Sequence, residues 1–286
     1  MKSVSRDDHT IRDFGDQWSH FGDNDGYYGS VELLADILGP LVSFDQLRGA
    51  RVADVGSGTG RIVRMLLDVG VESVVAVEPS VGVDILRENL REFGERVEVI
   101  HGRGDELPAG RELDFAISIG VIQFIRDPQP TLRAAREALR PGGKVVIWVY
   151  GHEGNAAYVL ALTALRSITT RLPHWALAGF CQLMTGVVGC YIALCKLTEL
   201  PLPLRDYLVN TLARLTRRER VLTIYDQLNP SYVKYYRRSE VADMLERAGF
   251  ADVELYHRRA YSWTATGTRP AAQGENLRNP SASSSR

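Results

Sequence analysis

At residues 51–61 the chain reads RVADVGSGTGR, a β-branched run that leads directly into a glycine-rich loop. The run 51–55 predicts a strand, and the spacing of apolar residues over 61–69 predicts a helix. Closely spaced glycines let a backbone turn sharply and approach a ligand without an intervening Cβ. The N-terminus of the following helix offers partly positive amides to an anionic group. This order of strand, loop and helix is the context of a nucleotide-binding loop.

The spacing of the loop disfavours two common phosphate-binding motifs. The dinucleotide fingerprint needs a glycine where Arg61 stands, and a P-loop needs Lys-Ser/Thr after its last glycine. A nicotinamide oxidoreductase is therefore disfavoured. Glu78 ends the second predicted strand, where a carboxylate can accept both hydroxyls of a ribose. That role is shared with NAD enzymes, so Glu78 alone does not identify the ligand.

Outward from the loop, strands alternate with helices. Further strands are predicted over 74–77, 96–100, 113–119 and 144–150, and helices over 11–21, 30–39, 82–93 and 128–139. A helix over 238–248 then leads into strands over 252–258 and 261–267, which are close enough to pair as a hairpin. The pattern predicts an α/β fold with a doubly wound, mostly parallel seven-stranded sheet.

Four short motifs follow one another along this pattern. They are VADVGSGTGR at 52–61, VEPS at 77–80, GDELP at 104–108 and LRPGG at 139–143. In this order they resemble the motifs of class I S-adenosylmethionine-dependent methyltransferases. The resemblance covers about 45–150 and resumes at 238–268. It implies a Rossmann-like methyltransferase fold and S-adenosylmethionine as cofactor, bound by a domain formed from 45–151 and 237–268.

The same resemblance implies roles for individual positions. The glycine loop would wrap the methionine part, with Asp54 either fixing the loop or making a direct contact. Glu78 would hold the ribose, and Asp105 would bind the adenine amino group. The full set of implied cofactor-binding residues is Asp54, Gly56, Ser57, Gly58, Gly60, Glu78, Pro79, Ser80, Asp105, Glu106 and Ile119.

The residues that serve the methyl acceptor are less clear from the sequence. Gln123 stands where many small-molecule members carry a histidine pair, and glutamine cannot act as a general base. A base is needed only for an acceptor such as a weakly acidic hydroxyl, an amine cation or a carbon acid. The candidate catalytic residues, chosen by position, are His152, Gln123, Asp226 and Tyr236. No metal ligands are expected.

Residues 152–236 interrupt the alternating pattern and predict a helical substrate lid inserted after strand five. Within it, 175–195 carries no charged residue and is long enough to cross a membrane. Three interpretations stay open: a buried lid helix, a helix on a membrane surface or in a homodimer interface, and a true span. The basic stretch 214–220 is either a solvated helix face or a site for anionic headgroups or an anionic substrate.

Composition narrows the partners and the compartment. The net charge is −1, whereas a non-specific nucleic-acid binder shows a basic excess, so no nucleic-acid partner is expected. The three cysteines and the polar N-terminus indicate reduced thiols in the cytoplasm, without a signal peptide. Residues 1–44 predict an N-terminal helical segment, and 269–286 predict a disordered tail.

These features predict a methyltransferase acting on a small, largely apolar metabolite, with oxygen as the favoured acceptor atom and nitrogen or carbon open. Two alternatives remain. One is a lipid- or quinone-directed methyltransferase at a membrane surface. The other is a protein that binds the cofactor on this fold without catalysis.

Overall fold

One sheet of seven strands organises the molecule, whose computed structural model describes residues 10–15, 18, 26–198 and 200–271. The strand order is β3-β2-β1-β4-β5-β7-β6. All neighbours are parallel except β7, which runs antiparallel to both β5 and β6. The strands are β1 (Arg51–Val55), β2 (Ser73–Glu78), β3 (Val97–His101), β4 (Leu113–Ile119), β5 (Leu139–Tyr150), β6 (Ala251–Arg258) and β7 (Ser262–Thr268). The predicted fold class is confirmed, including the terminal hairpin.

Helices connect the strands on both faces of this sheet. They are α1 (Val31–Leu38), α2 (Phe44–Leu47), α3 (Arg61–Val69), α4 (Val83–Asn89), α5 (Gln129–Ala138), α6 (Ala156–Thr169), α7 (His174–Leu197), α8 (Arg205–Asn210), α9 (Arg217–Leu228) and α10 (Arg238–Arg247). Residues 10–15 are also helical. Of the predicted helix 11–21, residues 16–17 and 19–21 lie outside the described residues, as does 272–286 of the predicted tail.

Two boundaries differ from the sequence-based prediction by more than one residue. The helix predicted over 82–93 ends at Asn89, and the chain continues in 3₁₀ turns that Gly94 interrupts with φ 52°. Strand β5 begins at Leu139, five residues early. Leu139 pairs with Leu113 and Lys144 pairs with Phe115, so four residues of β5 are accommodated against one of β4. The proline-glycine segment therefore ends α5 and forms a bulge within the strand.

The core lies on both faces of the sheet, because parallel strands with helices on each side are buried throughout. On one face, Leu66 of α3 and Leu34 of α1 pack against the sheet and are fully buried. On the other, Leu132 of α5 and Leu245 of α10 do the same. The C-terminal edge of the parallel strands is left for the loops, where ligands bind in doubly wound folds.

Helix α9 is the centre of the segment between β5 and α10. Leu177 and Cys181 of α7 pack on Val221 and Tyr225 of α9. Further along α7, Ile192 and Cys195 pack with Leu208, Leu212 and Leu215. One side of α7 is thus buried along its length. By length and composition Trp175–Leu197 would suffice to cross a membrane. Only 22% of its most apolar window is buried within the protein, so most of the helix surface is not part of the core.

Candidate functional site

A cavity of about 430 Å³ lies at the C-terminal ends of β1, β2, β4 and β5. The helical segment 10–15, Trp18 and helix α9 also contribute to its walls. One half is lined by loops that follow the strands, and the other by aromatic side chains. We call these the donor half and the acceptor half.

Glycines shape the donor half. Gly56 and Gly58 line the cavity and have φ of 81° and 55°, a region that side chains rarely adopt. A Cβ at Gly56 would stand 2.5 Å from a methyl group of Val121. Gly60 has φ 92° and lies behind the cavity, where a Cβ would stand 2.9 Å from Leu86. Gly56 therefore keeps the cavity open, while Gly60 allows α3 to pack closely on α4.

Glu78 joins the glycine loop to the end of β2. Its Oε2 accepts a hydrogen bond from the Gly58 amide at 2.8 Å, and its Oε1 accepts one from the Ser80 amide at 2.9 Å. The carboxylate is buried yet lines the cavity, together with Pro79 and Ser80. Two backbone donors thus fix its position at the place where the resemblance implies a ribose.

Asp54 lies beneath the loop and does not line the cavity. It is buried, and its Oδ2 has no hydrogen-bond partner among the described residues. Burial raises the pKa of Asp54 to about 7, although hydrogen bonding from Ser57 and the charge of Arg61 oppose the rise. A buried carboxylate with spare acceptor capacity beneath an open glycine loop suits a ligand that carries a positive charge. The donor half therefore fits S-adenosylmethionine, whose methionine part is cationic.

The turn after β3 completes the donor half. Residues Gly104–Glu106 form a 3₁₀ turn, and the Glu106 carboxylate accepts a hydrogen bond from the Arg103 amide at 2.6 Å. Glu106 therefore caps this turn outside the cavity, while Asp105 lines the cavity beside Gly104. Among the predicted cofactor residues, those that line the cavity are Gly56, Ser57, Gly58, Glu78, Pro79, Ser80, Asp105 and Ile119. Asp54, Gly60 and Glu106 support them from behind.

Aromatic side chains from widely separated segments form the acceptor half. The rings of Tyr207 and Tyr261 stack with centroids 4.1 Å apart, and those of Trp148 and Tyr150 meet edge to face at 5.4 Å. Such pairs fix the geometry of an apolar wall. The aromatic residues that line the cavity are Phe14, Trp18, Tyr28, Phe124, Trp148, Tyr150, Tyr207 and Tyr261.

Few charged groups reach this aromatic wall. Asp226 of α9 lines the cavity, as does Arg258, which is buried and donates to Asp36 at 2.9 Å from its Nε. Burial raises the pKa of Tyr207 to about 12 and that of Tyr150 well above its ordinary value. These phenols therefore stay protonated at neutral pH and serve as hydrogen-bonding groups. Asp226 lies near enough to Tyr150 and Tyr207 for its charge to contribute to the rise of their pKa.

The other three catalytic candidates do not line the cavity. Gln123 is fully buried in the turn after β4, and its side chain finds no partner among the described residues. His152 is half-buried, and its amide donates to the Tyr236 carbonyl at 2.9 Å, which ties the chain to the end of β5. Tyr236 packs in the core beside α10. None of the three lines the cavity in this structure, and a catalytic role for them stays a prediction.

Sequence reasoning missed most of the aromatic wall. Trp148 and Tyr150 are two residues apart in β5, so both point to one face near the strand's C-terminal end. That spacing was an available signal for the site. Phe14, Tyr207 and Tyr261 carry no comparable local pattern, because only the tertiary fold brings their segments together.

The chain is similar in sequence to known methyltransferases. A sequence model described as a methyltransferase domain matches residues 30–255. The ubiquinone biosynthesis O-methyltransferase of Azorhizobium caulinodans is 30% identical over 134 residues, which are 46% of this chain and 52% of that protein. Its counterpart from Roseobacter denitrificans is 23% identical over 147 residues, 51% of this chain and 59% of that protein. The matches thus span a little over half the length of these relatives.

Solved structures share the fold at low sequence identity. The pyocyanin biosynthetic protein PhzM aligns with a TM-score of 0.50 and 19% identity, covering 83% of this chain and 55% of that one. The S-adenosylmethionine-dependent methyltransferase SibL aligns with the same TM-score and identity, covering 84% and 55%. With the family match over 30–255 and a glycine loop that fits the cofactor, the chain belongs to the class I S-adenosylmethionine-dependent methyltransferase family, whose methyl donor is S-adenosylmethionine.

Proposed function

We propose that this protein transfers a methyl group from S-adenosylmethionine to an oxygen atom of a small, planar and largely apolar acceptor. The observation that carries the proposal is the continuity of the cavity. The loop that fits the cofactor opens directly into a space lined by aromatic rings. A volume of about 430 Å³ accommodates small molecules, which bind mostly to apolar walls with a few placed polar groups.

Partial coverage of an RNA-directed relative and the net charge of the chain both disfavour a nucleic-acid acceptor. One relative, from Methylococcus capsulatus, is named tRNA U34 carboxymethyltransferase and is 33% identical over 117 residues, but these cover only 36% of that protein. The net charge of −1 offers no basic excess for a phosphate backbone. A small-molecule acceptor therefore agrees better with the chain than a nucleic acid does.

S-adenosylmethionine supplies, when bound, an electrophilic methyl group on a sulfonium. The protein's own contribution is to align the acceptor and to exclude water. Trp148, Tyr207 and Tyr261 present apolar ring surface to the acceptor, while protonated tyrosine hydroxyls are available to orient its polar atoms. The Asp226 carboxylate accepts the proton that the acceptor hydroxyl loses. This role is chemically suited to an acceptor whose hydroxyl is weakly acidic, such as a phenol.

The test is methyl transfer with radiolabelled S-adenosylmethionine and matched acceptors. Phenols should be methylated in preference to aliphatic alcohols and aromatic amines of equal size. Asp226→Asn should lower kcat by about a hundredfold while leaving cofactor affinity unchanged. Asp206→Asn is the matched control, because Asp206 lies in the same segment, is exposed and does not line the cavity.

Three outcomes would count against the proposal in different ways. Calorimetry that detects no binding of S-adenosylmethionine or its demethylated product would remove the donor assignment. Tight cofactor binding without transfer to any acceptor would favour a non-catalytic role. Faster transfer to amines than to phenols would remove the assignment of the acceptor atom.

A further inference from the structure

Exposed apolar side chains are concentrated on one part of the surface. The described residues include eleven exposed large hydrophobic side chains, and nine of these lie between 160 and 200. They are Leu160, Ile168, Leu172, Trp175, Leu183, Val187, Leu194, Leu197 and Leu200. Trp175, at 78% exposure, and Leu183, at 67%, carry most of their surface into solvent. A monomer rarely exposes so many large apolar groups together unless the surface binds something.

On α7 these side chains form one stripe. At 100° per residue, positions 175, 183, 187, 194 and 197 fall within about 120° of arc. Leu177, Cys181, Ile192 and Cys195 occupy the opposite side and are buried against α9 and the α8 region. Helix α7 therefore has an apolar stripe on each of two sides. One stripe is buried against the protein, and the other is exposed. Its buried side ties it to the rest of the protein, which is incompatible with a helix that crosses a bilayer alone.

Helix α6 packs on the same small core as α7, through Leu162 and Leu165, and carries two exposed apolar side chains of its own. Leu160 is 72% exposed and Ile168 is 62% exposed, one after the other on the outer side. The only charged residue of α6, Arg166, turns inward, where its guanidinium donates to the Gln227 carbonyl at 2.6 Å and to the Tyr235 hydroxyl at 2.8 Å. We call the exposed side chains of α6 and α7 the outer lid face.

Nothing in the described part of the chain covers the outer lid face. A Cβ placed at Gly179, Gly186 or Gly189 would meet no atom within 4 Å. The three glycines lie along α7 between the exposed large side chains, so the open space extends over the middle of the helix. The face is thus broad and uncovered.

Basic residues outnumber acidic ones in the sequence that carries this face. From 155 to 200 the one acidic residue is Glu199, against Arg166, Arg171 and Lys196, although the chain has 35 acidic residues. Arg171 precedes α7 and Lys196 lies at its end, both exposed, and neither forms an ion pair within the described residues. A second copy of the chain docked here would place basic ends against basic ends. An anionic lipid surface instead provides complementary charge together with an apolar layer.

We propose that the outer lid face docks on the interface of a bilayer that contains anionic phospholipids, with α7 lying in the membrane plane. Helix α9 supports α6 and α7 on one side and lines the cavity with Leu222 and Asp226 on the other. Two helices, α7 and then α9, therefore lie between the lipid and the cavity. The docking is independent of the proposed methyl transfer, because it uses residues that do not line the cavity.

Flotation with vesicles tests the docking. The protein should float with phosphatidylcholine vesicles that contain phosphatidylglycerol, and less with phosphatidylcholine alone. Leu183→Asp and Leu160→Asp, on two different helices, should each abolish flotation. Val31→Asp is the matched control, because Val31 is exposed in the first turn of α1, where an aspartate is well tolerated.

The basic residues and the tryptophan give two further readouts. Arg171→Glu and Lys196→Glu should each weaken partitioning to anionic vesicles by at least roughly fivefold, whereas Arg91→Glu, exposed on the methyltransferase core, should not. The fluorescence of Trp175 should shift to the blue on binding. Trp175→Phe should lose that shift and still float.

Two results would overturn the docking. One is a wild-type protein that stays in the aqueous fraction with both kinds of vesicle. The other is a wild-type dimer in solution that Leu183→Asp splits into monomers, which would make this face a contact between copies. Calorimetry with S-adenosylmethionine and transfer to a water-soluble phenol on the same samples show that each variant is folded. They also keep a failure of docking distinct from a failure of the proposed function.

Discussion

The two halves of the cavity are built in different ways. The donor half is made of backbone turns that follow neighbouring strands, and its key groups are the Gly56 and Gly58 turns and the Glu78 carboxylate. The acceptor half is made of aromatic side chains from segments as distant as Phe14 and Tyr261. Donor recognition therefore depends on short contiguous motifs, whereas acceptor recognition depends on long-range packing.

This difference predicts where substitutions have separate effects. A change in the donor half should affect cofactor binding with any acceptor. A change in the acceptor half should alter the use of the acceptor and leave cofactor binding intact. A single network spanning both halves would instead couple every substitution to both ligands.

The largest effect is expected at Gly56. An alanine there must adopt φ near 81° and would press its Cβ to 2.5 Å from Val121. Valine is stiff about χ1, so Val121, which also lines the cavity, would have to move as a whole. Gly56→Ala should weaken binding of S-adenosylmethionine on the order of a hundredfold, measured by calorimetry.

Gly110→Ala is the control for this substitution. Gly110 also has a positive φ, 69°, but a Cβ there meets nothing within 4 Å. This variant should lose only about 1 kcal/mol of stability and keep its cofactor affinity. An equal loss of cofactor affinity in both variants would show that backbone strain, and not closure of the donor half, causes the loss.

A smaller effect is expected from the protonation of Asp54. Its pKa is about 7, so at mildly acidic pH the buried carboxyl is mostly neutral. A cationic ligand favours the carboxylate, and binding should therefore release a proton. The affinity for S-adenosylmethionine should rise about tenfold from about pH 6 to about pH 8, whereas Asp54→Asn should show only the ligand's own titration.

The stability of the free protein gives an independent check. The folded pKa of Asp54 lies above its ordinary value of 3.8, because burial penalises the charge. The fold is therefore destabilised progressively as the pH rises from about 4 to about 7, and no further above that. Asp54→Asn should raise the Tm more at pH 8 than at pH 5. A pH-independent difference between the two proteins would contradict this pKa.

The contrast between the two halves also explains which parts of the structure could be predicted from the sequence. Strand β1, helix α3 and Glu78 could be predicted because their periodicity and spacing are local properties of the chain. The bulge after Leu139 could not, because it depends on how β5 pairs with β4. The sequence suggests His152 as a site residue only because it follows β5 closely. The cavity is instead lined by Tyr150, which lies on the strand itself.

The insertion shows the limit of a hydropathy pattern. An uncharged segment over 175–195 was compatible with a lid, a surface helix or a span. The buried side of α7, with Cys181 and Ile192, becomes visible only when α9 and α8 are in place. Composition could identify an apolar helix, but the division of its two sides is a tertiary property.

The smallest effect is expected at Tyr207, where the acceptor half can be changed without touching the sheet. Its ring stacks on Tyr261 at 4.1 Å, and an aromatic pair of this kind contributes about 1 kcal/mol beyond its buried area. Tyr207→Ala should raise the KM for the acceptor about fivefold and leave cofactor affinity unchanged. Tyr191→Ala is the matched control, because Tyr191 lies on α7, donates to the Pro203 carbonyl and does not line the cavity. A Tyr207 variant that loses affinity for S-adenosylmethionine to the same extent would mean that the two halves are one coupled site.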